Sequence, residues 1–448
     1  MKTDILVIGG SAAGFVAAST AKINNPEKKV LLIRKEDTVM IPCGIPYVFG
    51  TTGSTDKNVL PDGGLQKAGV IIKIGEIVKL DCKAKKCITA SGENIDFEKL
   101  IIGTGSTPLI PSWLKGIDKT NVFTIPKNKS YLDKIQVQMS DLKNIVVIGG
   151  GFIGVETADE LNKAGKNVTL VEKLPNILSL AFDKEFSVVA ETILKDRGLN
   201  LVTGSGIKEI SGNGKVEGVI FENNEKLAAD AVVLSMGYVP NTTLAKDCGL
   251  QINEKGFIVV DEYMRTEVND VFAVGDCAEK KDYFTRKTST TMLASTACTE
   301  ARVAGMNLYN LSTLKTFGGT IAVYSTAIGE TAFSTAGLTE KQAIEEGFKI
   351  VKGSFDGIDR HPGVLPGSHK QKVKLIASKD SGTLLGGEIM GGISSGELVN
   401  VIGLAIENKM TLSSLLTTQI GTHPLLTASP AGYPLIKAAE MAYKKSGV

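Results

Sequence analysis

The stretch Asp4-Ile5-Leu6-Val7-Ile8-Gly9-Gly10-Ser11-Ala12-Ala13-Gly14 is an apolar strand that runs directly into a glycine turn, and a helix of small residues follows it. A second strand, Val30-Leu31-Leu32-Ile33, ends at Arg34-Lys35-Glu36. The same grammar returns later in the chain. Asn144-Ile145-Val146-Val147-Ile148 enters Gly149-Gly150-Gly151-Phe152-Ile153-Gly154, and Asn167-Val168-Thr169-Leu170-Val171 closes at Glu172-Lys173. Both copies also finish alike, in apolar strands at Leu100-Ile101-Ile102 and Ala231-Val232-Val233-Leu234 that lead to Gly105-Ser106-Thr107-Pro108 and Gly237-Tyr238-Val239-Pro240.

A repeated strand, glycine turn, helix and strand predicts two doubly wound dinucleotide-binding units with parallel sheets. Unbroken Val and Ile runs suit strands covered on both faces. From about residue 325 the pattern changes. Lys372-Val373-Lys374-Leu375-Ile376 and Leu384-Leu385-Gly386-Gly387-Glu388-Ile389-Met390 read as antiparallel strands, followed by helices from Gly396 to about Asn408 and from about Tyr433 to Lys445. The expected fold class is α/β: two Rossmann-like units and a C-terminal α+β unit. Residues 1–112 and 244–322 would build the first unit, 113–243 the second and 323–448 the third.

Composition narrows the function classes. The chain has 448 residues, 43% hydrophobic and 22% charged, which excludes wholesale disorder. Fifty Lys and Arg against 48 Asp and Glu give a net charge of +2 without a block of like charges, so nucleic acid is not an expected partner. No apolar run approaches the roughly 18 residues of a membrane span. The N-terminus enters a strand at once, without the apolar region of a signal peptide, and a cytoplasmic location is expected. None of the six cysteines forms C-x-x-C, so neither a zinc site nor a disulfide scaffold is expected.

In a dinucleotide fingerprint the first glycine makes a tight turn, the second admits the pyrophosphate and the third lets helix pack on strand. Gly149, Gly151 and Gly154 supply all three, and Glu172 stands where a carboxylate takes the ribose 2′-hydroxyl. The first copy has Gly9 and Gly14, with Ser11 at the middle position and Arg34 at the ribose position. Either Glu36 takes the ribose role or the Arg34 guanidinium meets a phosphate or the adenine. Downstream, Asp270-Val271-Phe272-Ala273-Val274-Gly275-Asp276-Cys277-Ala278 places the Asp276 carboxylate at the C-terminal edge of a strand, where an aspartate can hold a flavin ribityl chain. In Ile41-Pro42-Cys43-Gly44-Ile45-Pro46-Tyr47 a cysteine precedes a Gly-x-Pro helix start, whose N–H groups and dipole would lower a thiol pKa. The alternative is a small buried hydrophobe.

In this order the motifs resemble the pyridine nucleotide-disulfide oxidoreductases over essentially the whole chain, and most closely their single-cysteine branch: coenzyme A disulfide reductases, NAD(P)H-dependent persulfide or polysulfide reductases, NADH oxidases and peroxidases. Two-cysteine members carry Cys-x-x-x-x-Cys, whereas Val48 stands five positions after Cys43. Peroxidase-type members carry a histidine where this chain has Ala12. Coenzyme A disulfide reductases place tyrosines in the third domain, and the comparable stretches, His361-Pro362-Gly363-Val364-Leu365-Pro366-Gly367 and Thr422-His423-Pro424, have none.

The resemblance implies FAD on Gly9, Ser11, Ala12, Ala13, Gly14, Arg34, Lys35, Glu36, Pro42, Ile77, Thr104, Gly105, Asp276, Ala294 and Thr296. It places NADH, with NADPH also possible, on Gly149, Gly151, Phe152, Ile153, Gly154, Glu156, Glu172, Lys173 and Gly237. Coenzyme A is a possible ligand or substrate moiety, and no metal is expected. The implied activity is reduction of a low-molecular-weight disulfide, persulfide or polysulfide through Cys43 in a homodimer. The alternatives are an NADH oxidase or peroxidase that cycles Cys43 through sulfenic acid, and a flavoprotein electron carrier with an inert Cys43. His423 is either a loop histidine or, as the His-Pro of two-cysteine relatives implies, an acid/base facing the partner's thiol. The glutamate that orients it in those relatives is Ala428 here.

Overall fold

The computed structural model describes residues 1–313 and 316–446. Positions 314–315 of the expected 244–322 segment and 447–448 of the 323–448 unit lie outside the described residues. The first sheet is five-stranded and parallel, in the order Val271–Ala273, Lys99–Ile102, Ile5–Ile8, Val30–Arg34, Ile71–Ile74. Every residue of its three central strands is buried except Lys99, as expected of a sheet covered on both faces. The second sheet repeats the plan in the order Asn200–Val202, Asn167–Val171, Asn144–Ile148, Ala231–Leu234, Val122–Thr124.

The helix Ala12–Asn24 rises from the first glycine turn and Phe152–Lys163 from the second. Ala13, Gly14, Ala17, Ala18 and Ala21 are buried on the first. Small residues there let the helix Ala294–Met306 lie close: an added Cβ on Gly305 would stand 2.9 Å from Thr20. The first sheet is finished by a strand from beyond the second one, since Val271–Ala273 pairs with Lys99–Ile102.

The C-terminal unit is a five-stranded antiparallel sheet, Tyr324–Ile328, Thr331–Gly337, Leu384–Gly391, Lys370–Ser378, Ile350–Ile358. The helices Ser394–Glu407 and Pro434–Ser446 share one hydrophobic cluster with it, within two residues of the sequence expectation. Two three-stranded antiparallel sheets, Ile77–Asp81 with Lys86–Thr89 and Asn94–Asp96, and Ile207–Ser211 with Gly218–Phe221 and Lys226–Ala228, were not foreseen. No helix among the described residues is long and apolar enough to cross a membrane.

Candidate active site at the meeting of two glycine turns

The two turns have the same geometry. Gly9 has φ +110° and Gly149 φ +112°, a region that favours glycine. An added Cβ on Gly9 would stand 2.1 Å from the Gly103 carbonyl oxygen, and one on Gly149 would stand 2.3 Å from that of Ser235. On Gly14 and Gly154 it would stand 1.9 and 1.8 Å from the carbonyl oxygens of Gly9 and Gly149, so these glycines seat helix on strand. Gly151 is different. A Cβ there would meet no atom within 4 Å, leaving the turn open where a pyrophosphate must approach.

Both turns open on one cavity of about 950 Å³, within the size range of a cofactor cleft. Its wall includes Ser11, Ala12, Ala13, Pro42, Cys43, Gly105, Asp276 and Ala294 on one side. Gly149, Gly151, Phe152, Ile153, Glu156, Glu172, Lys173 and Gly237 line the other. Open turns, paired walls and a thiol at their junction fit the two nucleotides expected from the sequence. Gly9, Gly14 and Gly154 stand behind the wall. Thr104 donates to the Asn241 carbonyl at 2.6 Å, the buried Thr296 contacts the Thr320 hydroxyl at 3.1 Å, and Ile77 is buried in a strand.

The residues that end the second strand of each repeat pack on the middle of the turn. The Glu172 carboxylate accepts from Gly150 N at 2.6 Å and Leu174 N at 2.7 Å, and a Cβ on Gly150 would stand 2.9 Å from that of Glu172. In the first copy a Cβ on Gly10 would stand 2.4 Å from Arg34 Cδ. Arg34 is 4% exposed and turned onto Asp62 by a two-pronged pair at 2.5 and 2.8 Å, with further bonds to the Glu36 and Asp37 carbonyls. Lys35 pairs with Glu76 at 3.0 Å on the surface, and Glu36 is half-buried.

Asp276 gains partners the sequence did not announce. Lys127 reaches it at 2.6 Å and Ser106 at 2.7 Å. Burial would raise its pKa, but the Lys127 ammonium and the two hydrogen bonds hold the carboxyl below the usual carboxylate range. The preceding turn is gripped from inside by buried Lys280, which donates to the Gly275 and Ala278 carbonyls, and by Glu300, which accepts from Gly275 N.

Cys43 is exposed to the cavity, unlike the buried Cys82, Cys87 and Cys277. The expected helix start is not there. Pro42–Gly44 and Pro46–Phe49 are single 3₁₀ turns, too short to carry a macrodipole. Desolvation instead pushes the thiol up, aided by the nearby Glu156 carboxylate and opposed by Lys127. The turn is fixed from below. Asn58 donates to the Ile41 carbonyl at 3.0 Å and fills the space a Cβ on Gly44 would need, and Glu160 accepts from the Thr51 backbone and hydroxyl.

Glu156 accepts from Thr326 at 2.7 Å, and burial, with Glu160 nearby, pushes its carboxyl up to about 7. Phe152 stacks on Tyr324 with centroids 4.9 Å apart, so the C-terminal unit closes one end of the cavity. His423 is exposed in a loop, outside the cavity of its own chain, and its Nδ1 accepts from Leu425 N at 3.3 Å. Among the described residues no group of three or more His, Cys, Asp or Glu is placed to hold a metal ion.

Comparison with known proteins agrees with this layout. Residues 3–301 match the pyridine nucleotide-disulphide oxidoreductase family, and residues 323–431 match its dimerisation domain. The chain is 32% identical to an NADH oxidase of Enterococcus faecalis over 94% of its own length and 95% of the relative's. It is 31% identical to an NAD(P)H coenzyme A polysulfide/persulfide reductase of Pyrococcus horikoshii, over 87% and 88%. An NAD-dependent persulfide reductase from A. fulgidus superposes with a TM-score of 0.90 at 28% identity, covering 99% of this chain and 83% of that one. With two glycine turns, a Gly-Asp turn and a solitary thiol around one cleft, the chain belongs to the pyridine nucleotide-disulphide oxidoreductases and is an NAD(P)H-dependent flavin oxidoreductase.

Proposed function

We propose that the chain reduces a low-molecular-weight persulfide, polysulfide or disulfide, coenzyme A disulfide and coenzyme A persulfide included, with Cys43 as the one redox thiol. The observation that carries this reading is the Cys43 thiol, open to the cavity that both glycine turns share, with the buried Val48 where a second redox cysteine would stand. FAD would rest on residues 1–112 and 244–322, held by the first turn, Asp276 and Ala294. NADH would rest on 113–243, with Gly151 open to its pyrophosphate and Glu172 taking its ribose hydroxyls. Together these nucleotides supply the electron pair that cleavage of a sulfur–sulfur bond requires.

The chain's own part is nucleophilic. The Cys43 thiolate attacks one sulfur of the acceptor, the sulfur–sulfur bond breaks, and the leaving thiolate or hydrosulfide takes a proton. Cys43 then holds the other fragment as a mixed disulfide or persulfide, and its reduction returns the thiolate and frees the second product. Overall, one disulfide, one NADH and one proton give two thiols and NAD⁺. Residues 323–446 would form the interface of a homodimer in which His423 of one copy serves as proton donor opposite Cys43 of the other.

The test is anaerobic NADH consumption with persulfide, polysulfide and coenzyme A disulfide, against oxygen and peroxide as controls. Turnover confined to sulfur acceptors supports the reading, and turnover confined to oxygen or peroxide overturns it. The second reading, an NADH oxidase cycling Cys43 through sulfenic acid, is favoured by the similarity to the Enterococcus faecalis protein. It is disfavoured by Ala12 in the first glycine turn. Water or peroxide formed per NADH in air separates the two.

A further inference from the structure

We propose that Cys82 and Cys248 are a second thiol pair, separate from Cys43, which hydrogen peroxide converts to a disulfide. The two sulfurs stand 3.1 Å apart although 166 positions separate them in the chain. Bond formation at about 2.05 Å therefore requires a closure of only about 1 Å. Cys82 follows the strand Ile77–Asp81 and is 2% exposed, whereas Cys248 ends the helix Thr243–Asp247 and is half-buried. The pair is thus asymmetric, one cysteine half-buried and the other buried.

The charge balance runs the same way. The hydrogen bond from Cys82 pulls the Cys248 thiol down, and that contact, followed by burial, pushes Cys82 up. The half-buried Cys248 is therefore the attacking sulfur and the buried Cys82 the resolving thiol. Cys87, on the next strand, has no such sulfur contact among the described residues, and burial pushes its thiol up to about 12.

The chemistry balances in two steps. Cys248 attacks a peroxide oxygen, the O–O bond breaks, water leaves and Cys248 becomes a sulfenic acid. The Cys82 thiol then attacks that sulfur, the S–S bond forms and a second water leaves. Two thiols are oxidised by two electrons and one peroxide is reduced to two waters. The bridge would close a loop that contains the whole second dinucleotide unit. It would tie the strand Ile77–Asp81 to the helix that follows the chain's return from that unit.

The test uses the holoenzyme of Cys43→Ser, which removes the competing thiol, treated with stoichiometric hydrogen peroxide, then denatured and alkylated. Free thiols should fall from five to three, a single crosslinked peptide should join Cys82 to Cys248, and dithiothreitol should reverse both. In Cys82→Ser the resolving thiol is gone, so dimedone should label Cys248 several-fold more heavily. Peptide mapping of the oxidised wild-type enzyme gives the same answer without any substitution. Alkylation of both Cys82 and Cys248 after peroxide, or over-oxidation of Cys248 without a crosslink, would overturn the proposal.

Discussion

Replacing Glu172 by alanine isolates the contact that reads the ribose. Its carboxylate accepts one backbone N–H on each oxygen, from Gly150 at 2.6 Å and Leu174 at 2.7 Å. About two of its roughly four lone-pair sites therefore remain for ribose hydroxyls. A hydrogen bond to a charged group contributes about 1.5–3 kcal/mol, so losing one lowers kcat/KM for NADH by about 10- to 160-fold. NADPH should respond in the opposite sense. A 2′-phosphate about 4 Å from the carboxylate is repelled by between about 1 and 4 kcal/mol, depending on how much water screens the pair. That repulsion disappears in Glu172→Ala. Lys173 is mostly exposed and pairs with Glu222, itself exposed, at 3.0 Å, so it is available to a phosphate. The assay is stopped-flow flavin reduction with each nucleotide. The NADH to NADPH ratio should fall at least about tenfold, the lower end of the hydrogen-bond loss alone. Because Glu172 also tethers the turn at Gly150, Glu172→Gln serves as the control that keeps one acceptor. An unchanged ratio in the alanine variant would refute the assignment of Glu172 to the ribose.

Cys43→Ser should keep its flavin and its reduction by NADH while sulfur turnover drops below about a tenth of wild type; retention above that mark removes Cys43 from the chemistry. In Glu156→Gln the charge that forms near neutrality beside Cys43 is gone, so the thiol pKa falls and alkylation of Cys43 above neutral pH speeds up. Wild-type alkylation rates should show an inflection near 7 that this variant lacks, and identical profiles would place the Glu156 charge out of reach of Cys43. Lys127→Met strips Asp276 of its cation. Because the paired carboxyl is held low, its contribution is present above the unfolded pKa and lost as pH falls through the folded one. Flavin release on acidification, followed by fluorescence, should therefore begin at higher pH in the variant, and an unshifted release curve would deny the pair a role in retention. His423→Ala should slow the acceptor half-reaction by about 10- to 100-fold and leave flavin reduction intact; a fully active monomer in sedimentation would refute the composite site.

The parts of the molecule that were legible in its sequence are those whose signal is local. A glycine turn between an apolar strand and a helix is set by backbone sterics within a few residues, and both turns match to 2° in φ at Gly9 and Gly149. In the C-terminal unit two of the five strands, Lys370–Ser378 and Leu384–Gly391, and the helices Ser394–Glu407 and Pro434–Ser446 were equally plain in their hydropathy. Partners chosen by the tertiary fold were not legible. Nothing near Lys127 signals that it will meet Asp276, and nothing near Asp62 signals that it will engage Arg34. Gly10 and Gly150 lie outside the usual three-glycine reading, yet each is fixed by the side chain that ends the neighbouring strand. The expected helix after Cys43 failed for a local reason that the motif concealed. Pro46 has no N–H to give the Pro42 carbonyl, so no helix runs on from Cys43, and the turn it opens ends at Phe49, with Ile45 and Val48 donating to carbonyls three positions back.

The pairing of Val271–Ala273 with Lys99–Ile102 also fixes an order of manufacture. On a ribosome, the strands from Val122–Thr124 to Ala231–Leu234 emerge as one contiguous set and can close their own sheet early. The earlier strands must wait, their edge along Lys99–Ile102 unpaired, until the far side of that set has been made. The unit that is translated first is thus completed after the second one, and its exposed edge needs protection while the chain grows.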